Sequence, residues 1–252
     1  MTYSIVARDP ATGYLGITVA SRFFAVGSLV PNIRHNAAMA TQAFINPMWG
    51  VEGVERLSNG EKGDSVLADF IKRDPGQHSR QAHMIDARGK SFAHTGARCI
   101  DWAGHAIGEG VSVAGNMLAG PQVVAQSLEC YLDNMSLPFI ERLLAAMDAG
   151  EKAGGDKRGR QAAGLRIHHK QNYPHYDFRA DDHSDPLAEL RRLYAVSQER
   201  YAFFSDILAT AENFAGKTDR TDIDIAIKKA ETERLAKNIP SASVATDATA
   251  QS

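Results

Sequence analysis

Residues 2–8, Thr2-Tyr3-Ser4-Ile5-Val6-Ala7-Arg8, open with alternating polar and apolar side chains and are rich in β-formers. Residues 14–21 are β-prone again, and Asp9-Pro10-Ala11-Thr12-Gly13 between them supplies turn chemistry, so the chain is predicted to open with a β-hairpin. The end of the second strand of such a hairpin faces the start of the first, which makes Thr2 a neighbour of Val19-Ala20-Ser21-Arg22. A third strand is expected over 37–44, after which Pro47 and Gly50 break the pattern. From Gly50 onward Val51, Val54 and Leu57 keep helical spacing, and Asp64 or Ser65 reads as the cap of a second helix ending before Pro75.

Residues 80–86 and 91–96, joined by Ala87-Arg88-Gly89-Lys90, form a second predicted hairpin, and 108–116 is a glycine-rich strand candidate. Helices are expected over 122–132 and 137–147, the latter with Ser136 as cap and Pro138 in its first turn; strands resume over 161–168 and 175–180. This order implies two sheets, or one large mixed sheet, covered by helix pairs. After Asp185 the character changes. Leu187, Leu190, Tyr194, Tyr201, Phe204 and Leu208 recur at helical spacing behind Asp185 as cap and Pro186, which predicts an amphipathic helix whose stripe packs on the body or on a partner in a homo-oligomer. A charged helix follows over 221–237, and 238–252 reads as a disordered tail. The organisation expected is therefore a main domain over 1–185, a helical extension over 186–237 and the tail.

Composition narrows the class without naming it. The 252 residues are 44% hydrophobic and 23% charged with a formal net charge of -2, which gives no general attraction for nucleic acid or an anionic membrane. Two cysteines, Cys99 and Cys130, make no disulfide framework, no charged stretch followed by an apolar one precedes Pro10, and no apolar run of eighteen or more residues occurs. A reduced, cytoplasmic, soluble protein acting on a small molecule is the expectation.

Candidate chemistry begins at Thr2. If Met1 is removed, its hydroxyl and a free α-amine form a minimal nucleophile and base, whereas a mid-chain Thr needs another group to activate it; the alternative is a Thr that merely starts a strand. Gly154-Gly155-Asp156-Lys157-Arg158-Gly159-Arg160 is the most distinctive local composition. It is not a Walker-type phosphate loop, because a helix precedes it and a strand follows. It reads either as a helix C-terminus or as a loop in which Asp156 and Arg158 hold a carboxylate or align a neighbouring loop. Gly115-Asn116 offers a side-chain amide and backbone N–H groups for an oxyanion, or an ordinary turn. His94, Cys99 and His105, and His168, His169, His175 and His183 with Asp181 and Asp182, lack metal-ligand spacing, so no metal or other cofactor is expected. Trp49 and Trp102 fit a pocket wall and a core plug equally well.

Five blocks carry a family resemblance: Met1-Thr2-Tyr3-Ser4-Ile5-Val6-Ala7-Arg8-Asp9, Ala40-Thr41-Gln42-Ala43-Phe44, Gly115-Asn116-Met117-Leu118-Ala119-Gly120, residues 154–161, and Asp181-Asp182-His183-Ser184-Asp185-Pro186. In this order they resemble the domain-of-unknown-function 1028 family, from residue 1 to about Leu193. The resemblance implies the N-terminal nucleophile (Ntn) hydrolase superfamily and hence an α+β fold, a four-layer α-β-β-α sandwich, with the helical extension at its C-terminus. It also implies that Thr2 is the nucleophile. Proteasome-like members carry an Asp near the end of the second strand and a Lys on a following strand; this chain has Val19-Ala20-Ser21-Arg22 there, and its first lysine is Lys62. An Arg stays protonated and cannot act as base, which leaves the Thr2 amine, with Arg22 lowering its pKa. The expected activity is hydrolysis of a small anionic amide, with Asn116 at the oxyanion, Arg22, Asp156 and Arg158 on a substrate carboxylate, and Phe23 and Asn46 at the pocket wall. The missing Asp and Lys fit a second reading, a non-catalytic ligand-binding or assembly protein on the same fold.

Overall fold

The computed structural model describes residues 2–245. Strands β1 (Thr2–Arg8) and β2 (Leu15–Ser21) form the opening hairpin, followed by α1 (Val26–Leu29), β3 (Pro31–Ile33), β4 (Ala38–Ala43), α2 (Pro47–Ser58) and α3 (Gly63–Arg73). The second hairpin, β5 (Arg80–Ile85) and β6 (Ser91–Thr95), leads into β7 (Trp102–Gly108) and β8 (Val111–Leu118). Helices α4 (Pro121–Asp133) and α5 (Phe139–Lys152) and strands β9 (Ala162–His168) and β10 (Pro174–Ala180) complete the first of two compact units, which ends at Leu187.

Among the described residues the ten strands form two antiparallel sheets, one ordered β10-β9-β2-β1-β8-β7 and the other β3-β4-β5-β6. Strand β1 is central to the larger sheet and is buried on both faces, and the reason is visible in its side chains. Tyr3, Ile5 and Ala7 point one way: the Tyr3 hydroxyl donates to the Met147 carbonyl (3.2 Å) and to Glu151 Oε2 (2.9 Å) on α5. Thr2, Ser4 and Val6 point the other way, and Ser4 donates to Gln42 Oε1 on β4 (2.6 Å). The two sheets thus pack face to face, with α4 and α5 against the larger and α2 and α3 against the smaller. Val6, Ile17, Val19, Val30, Ala40 and Ile85 fill the space between sheets; Met39, Met84, Trp49, Leu57 and Phe70 fill the space under α2 and α3, making Trp49 a core residue.

Several local expectations change. Helix α2 starts at Pro47, not Gly50, because Asn46 caps it by accepting from the Met48 N–H (3.1 Å) and proline is well suited to the first helical position. Helix α3 begins at Gly63, which puts Asp64 in its first turn rather than at the cap. Trp102 and His105 belong to a strand, β7, at the edge of the large sheet, where half-exposed residues and two glycines erase any alternation. Helix α1 and strand β3 are too short to leave a periodic trace.

The second unit, from Ala188, holds most of α6 (Pro186–Glu199), then α7 (Tyr201–Ser205) and α8 (Thr221–Ala236). The amphipathic stripe expected through Leu208 is two helices, broken at Arg200, whose backbone (φ -145°, ψ -45°) leaves the helical region. Arg192 pairs with Glu189 and donates to the Ala242 carbonyl (2.8 Å), and Ser241 donates to Glu199 (2.7 Å), so the segment after α8 folds back within this unit. Met1 and residues 246–252, the latter part of the expected tail, lie outside the described residues. Among the described residues no helix is long and apolar enough to cross a membrane.

Candidate functional site

Register places Thr2 between the ends of two neighbouring strands. Thr2 pairs with Asn116 of β8, and Tyr3 pairs with Ala20 of β2, which brings Ser21 alongside. The Thr2 side chain is buried, the residue being 6% exposed, and its Oγ1 donates to Ser21 Oγ (3.1 Å). Asn116 Nδ2 donates to Gln81 Oε1 (3.0 Å) and makes a long contact to the Thr2 carbonyl (3.5 Å).

Beneath Thr2 the sheet interface is polar rather than apolar. Gln42 Nε2 donates to Gln81 Oε1 (2.9 Å) and the Ala114 carbonyl (3.2 Å), and Gln81 Nε2 reaches the Gly115 carbonyl (2.8 Å) and Thr95 Oγ1 (3.0 Å). Ser4 bonds His83 Nε2 (2.8 Å), and the other ring nitrogen of His83 meets Ser112 Oγ (3.1 Å). Every side chain in this network is neutral. Burial, with His105 as a lesser cause, pushes His83 down to about 3, so it carries no charge at physiological pH. The folded value lies below the ordinary histidine value of about 6.5, so stability from this neutral ring is complete above about pH 6.5 and is lost as pH falls toward 3, by up to about 1.4 kcal/mol per pH unit. His83→Gln is expected to flatten the pH dependence of denaturant midpoints between pH 4 and 6; an unchanged slope would assign that limb to other groups, such as His168, which burial lowers to about 4.

Above Thr2 lies a cavity of about 250 Å³ lined by Thr2, Phe23, Val26, Leu29, Val30, Gln42, Ala43, Phe44 and Ile45. Helix α1 provides one wall and is held tightly: a Cβ on Gly164 of β9 would lie 2.6 Å from the Gly27 Cα, so only glycines allow this approach. Ala43 in the lining and Ala25, just before α1, have φ of 69° and 55°, and Met117 beside Asn116 has 55°. Left-handed backbone costs non-glycine residues roughly 1–2 kcal/mol each, and such strain concentrates at functional sites.

Of the residues singled out from sequence, Thr2 and Phe23 line the cavity and Asn116 faces Thr2 across the strand pair. Arg22, Asp156 and Arg158 do not line it. Asp156 instead accepts from the Arg22 N–H (2.8 Å) and the Arg158 N–H (2.8 Å), and the Arg22 guanidinium donates to the Arg158 carbonyl (2.5 Å). With the Asp156 bridge to Leu118, the loop braces the ends of β2 and β8 that flank Thr2. Asn46 lines a separate depression with Trp49, Glu52, Phe70 and Arg73, and its Nδ2 donates to Asp74 (3.0 Å). Among the described residues no cluster of His, Cys, Asp and Glu could hold a metal ion.

Gln81 and His83 have no role assigned from sequence, and Gln42 enters there only within a family block. Their signal was present: in β5, Gln81 and His83 alternate with Ala82 and Met84, and all four are buried. A polar period-two face between buried apolar positions marks a polar layer inside the protein, but only pairing the sheets shows what it supports.

The family of unknown function DUF1028 matches residues 2–190. The chain belongs to the DUF1028 family. A crystal structure of a DUF1028 protein, SPO2555 from Silicibacter pomeroyi, is similar to it with 29% sequence identity and a TM-score of 0.80, covering 86% of this chain and 99% of that one. No curated protein matches the chain. The DUF1028 match takes in both sheets, the Thr2 cavity and the 154–160 brace, and ends at Leu190, within α6.

Proposed function

We propose that this DUF1028 protein is an amidohydrolase of the N-terminal nucleophile type, its facing sheets and outer helices forming the four-layer α-β-β-α sandwich of that superfamily, with Thr2 as nucleophile once Met1 is removed. The observation that carries the reading is that Thr2 both starts the central strand and lines the cavity. Thr2 Oγ attacks the amide carbon while the Thr2 α-amine, with an ordinary pKa of roughly 7.7–8.0, takes the hydroxyl proton and passes it to the departing nitrogen. The C–N bond breaks, leaving an ester on Oγ and a free amine. Water then attacks the ester with the same amine as base, releasing the acid and restoring Thr2.

One N–H of the Asn116 carboxamide is committed to Gln81, which leaves the other, weakly held by the Thr2 carbonyl, as the donor for the oxyanion. The α-amine is the base by elimination: Thr2 neighbours Ser21 and Asn116, neither of which is basic. The test is intact mass followed by peptide mapping after exposure to an activated acyl ester. The expected result is loss of Met1 and a single acyl adduct on Thr2. Retained Met1 removes the mechanism, because an extended N-terminus has no free amine at Thr2, and favours the non-catalytic reading suggested by the neutral surroundings.

A further inference from the structure

We infer that the cavity over Thr2 takes an uncharged, apolar acyl group, so that the substrate class is an amide of an aliphatic or aromatic carboxylic acid. The inference rests on the reading of Thr2 as nucleophile and specifies what its carbonyl carries. Seven of the nine lining residues are apolar: Phe23, Val26, Leu29, Val30, Ala43, Phe44 and Ile45. The side chains of the other two, Thr2 and Gln42, are uncharged and already engaged. Thr2 Oγ1 is bonded to Ser21, Gln42 Oε1 accepts from Ser4, and Gln42 Nε2 donates to Gln81 and Ala114. Among the described residues no cationic side chain lines the cavity, and the Thr2 amine sits at the reacting carbonyl, where it must be neutral to act as base. A carboxylate at the far end of the acyl chain would leave water and find neither a cationic side chain nor an uncommitted donor on Gln42, which is unfavourable in an apolar site. An alkyl or aryl group entering it meets only favourable contacts.

The walls are also arranged to stay in place. Glycine-to-glycine packing fixes α1, which carries Val26 and Leu29, and the Arg80 guanidinium lies 5.2 Å over the Phe44 ring while bonding the Phe44 carbonyl and Asp74. Phe44 and Phe23 are 74% and 54% exposed, so the apolar lining continues out to the lip, where a ligand would cover it.

Calorimetric titration of the full chain carrying Thr2→Ala, which keeps a small N-terminal residue and removes the chemistry, tests the assignment with unbranched primary amides from acetamide to octanamide. Monoamides of dicarboxylic acids of matched length serve as the charged arm. Affinity is expected to rise about fourfold per added methylene until the cavity is filled. The carboxylate-ended amides are expected to bind at least tenfold more weakly than their methyl-ended partners. Phe44→Ser, at an exposed lip position, is expected to weaken octanamide binding several-fold without unfolding the protein. Affinity independent of chain length, preference for the carboxylate-ended series, or no effect of Phe44→Ser would overturn the assignment. Assaying hydrolysis of both series by the unaltered protein separates the two readings. Chain-length-dependent binding without hydrolysis supports the cavity assignment and overturns Thr2 as nucleophile; hydrolysis confined to the carboxylate-ended amides does the reverse.

Discussion

Thr2→Ala is expected to lower kcat for amide or activated-ester hydrolysis on the order of 10⁴-fold or more, equivalent to about 5 kcal/mol of transition-state stabilisation, with little change in substrate binding. The size of the effect follows from the site. The covalent route disappears with the Thr2 hydroxyl, and the α-amine that the variant keeps has no hydroxyl of its own residue left to activate. Folding is expected to survive, because the substitution removes one hydrogen bond between hydroxyls, worth about 1 kcal/mol. Thr2→Ser keeps both hydroxyl and amine and is expected to retain activity within about tenfold, a rescue that a purely structural role would not show. Single-turnover kinetics on the three proteins, with denaturant midpoints as the folding control, checks this. Equal rates for Thr2→Ala and the unaltered protein would end the catalytic reading.

The largest expected loss of stability lies at the opposite end of β1. Arg142 is 1% exposed and its guanidinium donates to Asp9 Oδ1 (2.5 Å) in the β1–β2 turn. Tyr131 and Phe139 rings lie 4.8 and 5.4 Å from it, and the second Asp9 oxygen accepts from the Thr12 N–H (3.0 Å) and hydroxyl (2.5 Å). Removing the acid alone, in Asp9→Ala, strands a buried cation and is expected to cost about 3–5 kcal/mol, whereas Asp9→Leu with Arg142→Met is expected to recover much of that. Burial alone would raise the Asp9 pKa, but hydrogen bonds from Thr12 and Arg142 win and hold it below the usual carboxylate range. A depressed folded value means the contribution is complete above the unfolded carboxylate pKa of about 3.9 and fades as pH falls through the folded value. Urea unfolding at pH 7 should separate the variants clearly, and below pH 3 the gap should narrow. A single-variant loss below about 1 kcal/mol at pH 7 would show that water reaches Arg142.

Local signals were strong where one strand or helix decides its own form. The opening hairpin was legible from alternation and Asp9-Pro10-Ala11-Thr12-Gly13, and its register does place Thr2 beside Ser21. The start of α2 was misread because Pro47 can break one element or begin another, and only the Asn46 cap decides which. Strand β7 was missed because an edge strand is not held to alternation.

Sequence by itself therefore determined the hairpin, most helices, the position of Thr2 at the start of a strand and, through five short blocks, the DUF1028 family. Tertiary structure alone decided what surrounds Thr2. Gln42, Gln81 and His83 come from strands of the other sheet and meet Ser4 and Asn116 only when the sheets face each other. Arg22, Asp156 and Arg158, expected on a substrate carboxylate, bond one another and the backbone, because a buried carboxylate takes the nearest N–H groups. The apolar residues in and around α1 and at the β4 end, apart in sequence, come together only in the fold to line the cavity over Thr2.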